Sequence, residues 1–233
     1  MQSRSRILVL VSLALLATGA HAADLDAMEA AIRETPNDLR LGSEYRQAAI
    51  DAEAYDRAIE FFDQLSQANP RAENAFLNLG FAYVDKVRTV GAITQVILAE
   101  RALEAITAGV EIQPSWIGYY SRGNAYLFWP KVFGRAPLAV KDMESAMEVQ
   151  ESQPQRRSYH VRTFIGLGDA YWKTDQLDRA RETWAQGLQI FPGNQKLEQR
   201  LALEGEALET FMGDEFDPNN HVDTSLRELW EDE

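Results

Sequence analysis

The sequence predicts an all-α fold of stacked helix pairs, and three regularities carry that prediction. The stretch from residue 164 to 192 reads Phe164-x2-Leu167-Gly168-x2-Tyr171, then Ala180-x3-Trp184, then Pro192. The same order of residues returns upstream, with Ala58, Ala102 and Ala139 each followed by a proline: Pro70, Pro114 and Pro154. From alanine to proline is 12 residues in three units and 15 from Ala139 to Pro154, and a further proline, Pro36, precedes the series. Small residues such as Gly168 and Ala180 let two antiparallel helices approach closely. Phe164, Leu167, Tyr171 and Trp184 fill the space around that contact, with Leu177 and Leu188 at helical spacing. Each proline cannot continue the helix behind it.

This pattern resembles the tetratricopeptide repeat, a helix–turn–helix unit of about 34 residues with a W-x2-L-G-x2-Y…A-x3-F…P signature. The resemblance implies a right-handed α-α superhelical solenoid of tetratricopeptide-like helix pairs. Neighbouring repeats then share one continuous core.

In chain order, Leu25, Met28 and Ile32 fit a lone second helix over 23–36, the half-unit that caps an array. Four repeats follow over 37–193. The first, 39–70, places Tyr45, Ala49, Ala58 and Phe62 at core positions but has Arg46 where glycine is usual. The second, 73–114, opens Phe76-x2-Leu79-Gly80-x2-Tyr83 and resumes at Ala102-x3-Ile106. The third, 116–154, opens Tyr119-x2-Arg122-Gly123-x2-Tyr126 and resumes at Ala139-x3-Met143. The fourth is 161–192. Leu197, Leu201, Leu208 and Phe211 share a face of a capping helix over 194–212. Residues 213–233 read as an acidic linker and a short C-terminal helix. Ser225-x-x-Glu228 is a capping-box pattern that would open this helix, which presents Leu226, Leu229 and Trp230. Such a segment could dock back on the array, engage a partner or stay frayed.

Residues 1–22 read as a secretory signal peptide, with Arg4 and Arg6, an apolar run from Ile7 to Ala17, and Ala20-His21-Ala22 as the cleavage site. Cleavage after Ala22 predicts a soluble exported protein, periplasmic in a Gram-negative cell. The chain has no cysteine, which excludes disulfides, thiolate nucleophiles and a lipid anchor through cysteine. Its net charge of −13 opposes nucleic acid, whose phosphates would be repelled. It also opposes adhesion to an anionic membrane, and no stable membrane insertion is expected.

Two units break step. From the first-helix tyrosine to the second-helix alanine is nine residues in the fourth repeat, but 19 from Tyr83 to Ala102 and 13 from Tyr126 to Ala139. The first insertion (84–101) is too apolar for a solvated loop and predicts lengthened helices around Gly91. The second (128–137) holds Phe128, Trp129 and Phe133 with Lys131 and Arg135. It reads either as a local core or as a recognition loop, with Trp129 and Phe133 as anchors and Lys131 and Arg135 meeting an anion.

The resemblance also implies a concave groove lined by first-helix residues that holds a protein or peptide segment. Carried across by register, its positions are Asn74, Leu77, Phe81, Tyr120, Asn124, Arg162, Asp169, Trp172 and Lys173, with Arg40 and Gln47 toward the N-terminus. No catalytic constellation, cofactor motif or metal site is recognised. His160 and His221 lack partners at ligand spacing, and the acidic cluster at 214–223 lacks the glycine and terminal glutamate of a calcium loop. The expected function is a non-catalytic protein- or peptide-binding scaffold of the cell envelope that aids assembly or maturation of an envelope complex. The alternative is a small-solute-binding accessory of a transport system, with a pocket walled by Trp129, Phe133 and Trp172.

Overall fold

The computed structural model describes residues 24–217, 219–220 and 222–230. The expected signal peptide lies outside these residues. Among them the fold is an all-α solenoid. Helix α1 (24–34) is followed by four helix pairs: α2 (Leu39–Asp51) with α3 (Tyr55–Ala68), α4 (Glu73–Val87) with α5 (Ala92–Ile112), α6 (Trp116–Leu127) with α7 (Ala136–Ser152), and α8 (Val161–Lys173) with α9 (Leu177–Ile190). Helices α10 (Gln195–Ala202) and α11 (Gly205–Glu215) close the array. From α2 to α10 each helix packs on the next, and first helices also touch across repeats, α2 on α4 and α6 on α8. No helix among the described residues is long and apolar enough to cross a membrane.

The helix ends follow from local chemistry. Pro36, Pro70, Pro114, Pro154 and Pro192 each stand two residues beyond the last residue of α1, α3, α5, α7 and α9. At the other ends, Asp38 accepts from Leu41 N–H at 2.9 Å, Ser115 from Gly118 N–H at 3.2 Å and Asn194 from Leu197 N–H at 3.1 Å. These side chains satisfy donors that the first helical turn leaves orphaned.

Within the pairs, glycine permits close approach. A Cβ at Gly168 would lie 2.2 Å from Trp184 Nε1, and Trp184 is fully buried. Gly168→Ala therefore destabilises the fold. Overpacking costs about 1–3 kcal/mol, which outweighs the roughly 1 kcal/mol gained from replacing glycine in a helix. A lower urea midpoint at unchanged slope is the expected readout.

The core runs through the array in two large clusters, one centred on Tyr45, Phe61 and Phe62, the other on Met143, Trp184 and Leu197. A third, smaller cluster joins Leu77, Phe81, Ile106 and Val110 to Leu226 of the C-terminal segment.

Two departures from the sequence reading concern the C-terminal part. The helix expected over 194–212 is two helices. Leu203 and Glu204 are extended and Gly205 adopts φ +51°, a left-handed conformation that glycine accepts cheaply, so α11 leaves in a new direction. The helix expected to open at Ser225 does not form there. Leu226 instead takes φ +55° and precedes a single 3-10 turn, Arg227–Leu229, because residues 224–226 are bonded to and packed on the array.

The first insertion is helical: α5 is 21 residues long, and its first buried side chain is Leu98. Its opening turns, 92–97, are largely exposed. The second insertion forms the short 3-10 turn Lys131–Phe133, closed by Gly134 at φ +66°.

Candidate functional site

The groove is built from the first helices α2, α4, α6 and α8, and the chain's own C-terminal segment lies in it. Residues 222–230 run from the C-terminal ends of these helices towards their N-terminal ends. At the first end, the Thr224 hydroxyl donates to Asp85 Oδ1. Midway, Ser43 Oγ donates to the Ser225 carbonyl at 2.6 Å, and Arg46 Nη2 donates to the Thr224 carbonyl at 2.7 Å. Leu226 packs with Leu77 and Phe81. At the far end, Glu228 pairs with Arg162 at 2.6 Å, and the Arg40 guanidinium stands 5.7 Å from the Trp230 ring centroid. Burial lifts the Glu228 carboxyl above the usual range, with Arg162 opposing.

Arg46 organises this half of the site. It replaces the small residue of the other repeats and is wholly buried. It meets Asp85 at 2.9 Å and Asn78 Oδ1 at 3.0 Å, and its guanidinium lies 5.0 Å from the Phe81 ring centroid. A buried guanidinium needs its donors satisfied, and the tail's carbonyl at residue 224 takes one of them. Sequence reasoning missed Arg46, Ser43 and Asp85 as site residues, although the departure at Arg46 was visible as an arginine in a glycine position.

The other half of the groove is closed by α10 and α11. Asp169 receives Arg200 through two hydrogen bonds of 2.7 and 2.8 Å, and Trp184 Nε1 at 3.1 Å. Arg200 also reaches Glu215 at 2.9 Å, which ties α11 to α10. Trp172 Nε1 donates to Glu209 at 3.0 Å. Lys173 donates to the Leu127 carbonyl and lies 4.9 Å from the Phe216 ring centroid.

The positions carried across by register thus have different surroundings. Leu77, Phe81 and Arg162 touch the tail. Tyr120 stacks on Trp116 with centroids 5.1 Å apart, and burial raises its hydroxyl pKa. Asn74 clasps the preceding turn, with its backbone N–H and side-chain amide bonding Asn37 at 2.9 Å each. Asn124 is half-buried on α6. Asp169, Trp172 and Lys173 are buried beneath α10 and α11 rather than open to a partner.

The insertion loop divides. Trp129 is 7% exposed and lies beneath Arg135, 3.8 Å from its ring centroid, so it belongs to a local core. Phe133 is 57% exposed. Arg135 donates to Glu100 Oε2 at 3.2 Å, and Lys131 pairs with Asp175 at 2.7 Å. Trp129 and Phe133 meet edge to face with ring centroids 5.4 Å apart, and Lys131 Nζ stands 5.3 Å from the Trp172 ring centroid, while Trp172 Nε1 is bonded to Glu209. A cleft of about 260 Å³ lies elsewhere, between α7, α8 and α9, lined in part by Met147, Tyr171 and Arg179.

Burial lowers the Lys173 ammonium to about 8, reinforced by Lys131 and opposed by Asp169. A lysine in the unfolded chain titrates at about 10.4, so the unfolded state takes up this proton first as pH falls. Stability therefore rises with pH between about 8 and about 10. Lys173→Met removes this contribution, and urea midpoints across that window should climb in the wild type and flatten in the variant.

No protein-family model matches the sequence, and no curated protein matches it. Solved structures do match the fold. TTC0263, a thermophilic TPR protein of Thermus thermophilus, superposes with a TM-score of 0.55 at 21% identity, over 82% of this chain and 94% of that one. A tetratricopeptide repeat protein from Parabacteroides merdae ATCC 43184 gives 0.56 at 16% identity, over 89% and 73%. YrrB, described as a TPR protein with an unusual peptide-binding site, gives 0.53 at 17% identity, over 84% and 94%.

Proposed function

For this chain with the tetratricopeptide-repeat fold, we propose a non-catalytic scaffold that binds an extended protein or peptide segment in the groove now filled by residues 222–230. One observation carries the reading: the tail is held as a peptide ligand would be. Two main-chain carbonyls are gripped by Ser43 and Arg46, one apolar side chain is seated beside Leu77 and Phe81, and one carboxylate lies on Arg162. Main-chain bonding gives affinity with little sequence demand, and side-chain seats give selectivity. The peptide-binding site of YrrB, on a similar fold, supports the same use of this one.

The partner belongs to the cell envelope on this reading, because residues 1–22 have the pattern of an export signal, and the scaffold serves assembly or maturation of an envelope complex. Crosslinking in envelope extract tests it, using the intact chain, a chain ending at residue 221, and the latter carrying Arg162→Glu. The trimmed chain should enrich a protein that the intact chain captures weakly and the Arg162→Glu chain loses. Equal, unselective capture by all three would overturn the reading.

A further inference from the structure

Outside the groove, the two insertions create a second surface. On α5, Ile93, Val96, Ile97 and Glu100 share one helical face. Ile93 is 82% exposed, and Val96 and Ile97 are each at least half exposed. Glu100 binds Arg135, which brings the second insertion against this face. With 1.5 Å rise per residue, Ile97 and Ile93 lie roughly 5 and 10 Å along the helix from that ion pair. On the loop side, Val132 is 88% exposed beside Phe133, and exposed Leu138 follows on α7. An exposed apolar group of this kind marks an interaction surface.

Its charge differs from that of the molecule. The chain carries a net −13, yet residues 86–99 and 128–141 contain no carboxylate. They contribute Lys86, Arg88, Lys131, Arg135 and Lys141, and Arg101 follows after Glu100. Arg101 lies one turn beyond Ile97, and Lys141 one turn beyond Leu138, both exposed. Carboxylates meet this surface at Glu100, which pairs with Arg135, at exposed Glu104 one turn further along α5, and at its margins, where Asp56 pairs with Lys86 and Asp175 with Lys131. Over a screening length of about 10 Å, local charge decides what docks, not the total.

We propose that this face is a peripheral docking surface for a lipid bilayer bearing anionic headgroups. Ile93, Val132 and Phe133 would enter the boundary between headgroups and acyl chains, and Arg101 and Lys141 would meet phosphate. The apolar side chains project rather than line a hollow, which suits a fluid surface that needs no complementary pocket. The expectation of repulsion drawn from the total charge gives way, because the acidic residues lie mainly elsewhere.

Co-sedimentation with vesicles tests this. The chain from residue 23, the expected mature form, is compared with Ile93→Ser/Val132→Ser/Phe133→Ser and with Arg101→Glu/Lys141→Glu, so the apolar run and arginines of residues 1–22 do not contribute. All five positions are exposed, and circular dichroism verifies that each variant is folded. The wild type should bind vesicles containing phosphatidylglycerol and bind phosphatidylcholine vesicles weakly. The apolar variant should lower binding about tenfold or more, and the charge variant should lower it on anionic vesicles only. Equal binding by wild type and apolar variant overturns the proposal. So does a folded wild type that ignores anionic vesicles, including the case where the apolar variant instead loses a protein crosslink, which would assign the face to a protein partner.

Discussion

Arg200→Ala should remove about 3–5 kcal/mol from the unfolding free energy, a large fraction of the roughly 5–15 kcal/mol that holds a domain folded. Arg200 is 2% exposed and fills both oxygens of a buried Asp169 carboxylate. Without it, that carboxylate keeps a single donor, Trp184 Nε1. The penalty comes from the stranded charge more than from the lost pair. Asp169→Leu combined with Arg200→Met should therefore recover much of the loss. Urea titrations of the single and double variants separate these two contributions. The single variant should also loosen α11, because Arg200 holds Glu215 as well.

Leu226→Asp should release the tail without unfolding the array. The substitution places a carboxylate in the apolar cluster of Leu77, Phe81, Ile106 and Val110, where its burial is costly. Replacing a buried leucine in a rigid core costs about 2–5 kcal/mol. Here the cost is capped at the docking energy of residues 222–230, since these can leave the groove while the helix pairs remain packed. Arg46 keeps Asp85 and Asn78 when the tail departs, so its charge stays compensated. The expected signature is local: rapid amide exchange and proteolysis within 222–230, with a small change in the global melting temperature. A collapse of the whole array would mean that the tail is an integral part of the core.

Much of the architecture is legible in the sequence, because each helix boundary is set by residues a few positions away. The prolines end the second helices, Asp38, Ser115 and Asn194 open others, and Gly168 faces Trp184 through spacing alone. The candidate site is less legible because it depends on contacts between residues far apart. Ser43 meets Ser225 across 182 positions, and no local pattern records that meeting. Arg46 was a visible anomaly whose reason lies in Asp85 and Thr224. The break at Gly205 escaped because the apolar spacing of α10 continues into α11, and only the backbone angle separates them. The repeat register puts the groove positions around Asp169 on an open face, but α10 and α11 fold over it. That return path is a tertiary fact, absent from the period of the repeats.

The central claim is that the groove is a binding site whose present occupant is replaceable. The most direct measurement is fluorescence anisotropy of a labelled peptide of residues 217–230, titrated with the chain ending at residue 221 and with the intact chain. The trimmed chain should bind the peptide saturably, and should lose that binding when the peptide carries Leu226→Asp. The intact chain should bind far more weakly, because its own tail competes at a millimolar effective concentration. A trimmed chain that stays folded and does not bind the peptide would mean that the groove is not a replaceable binding site.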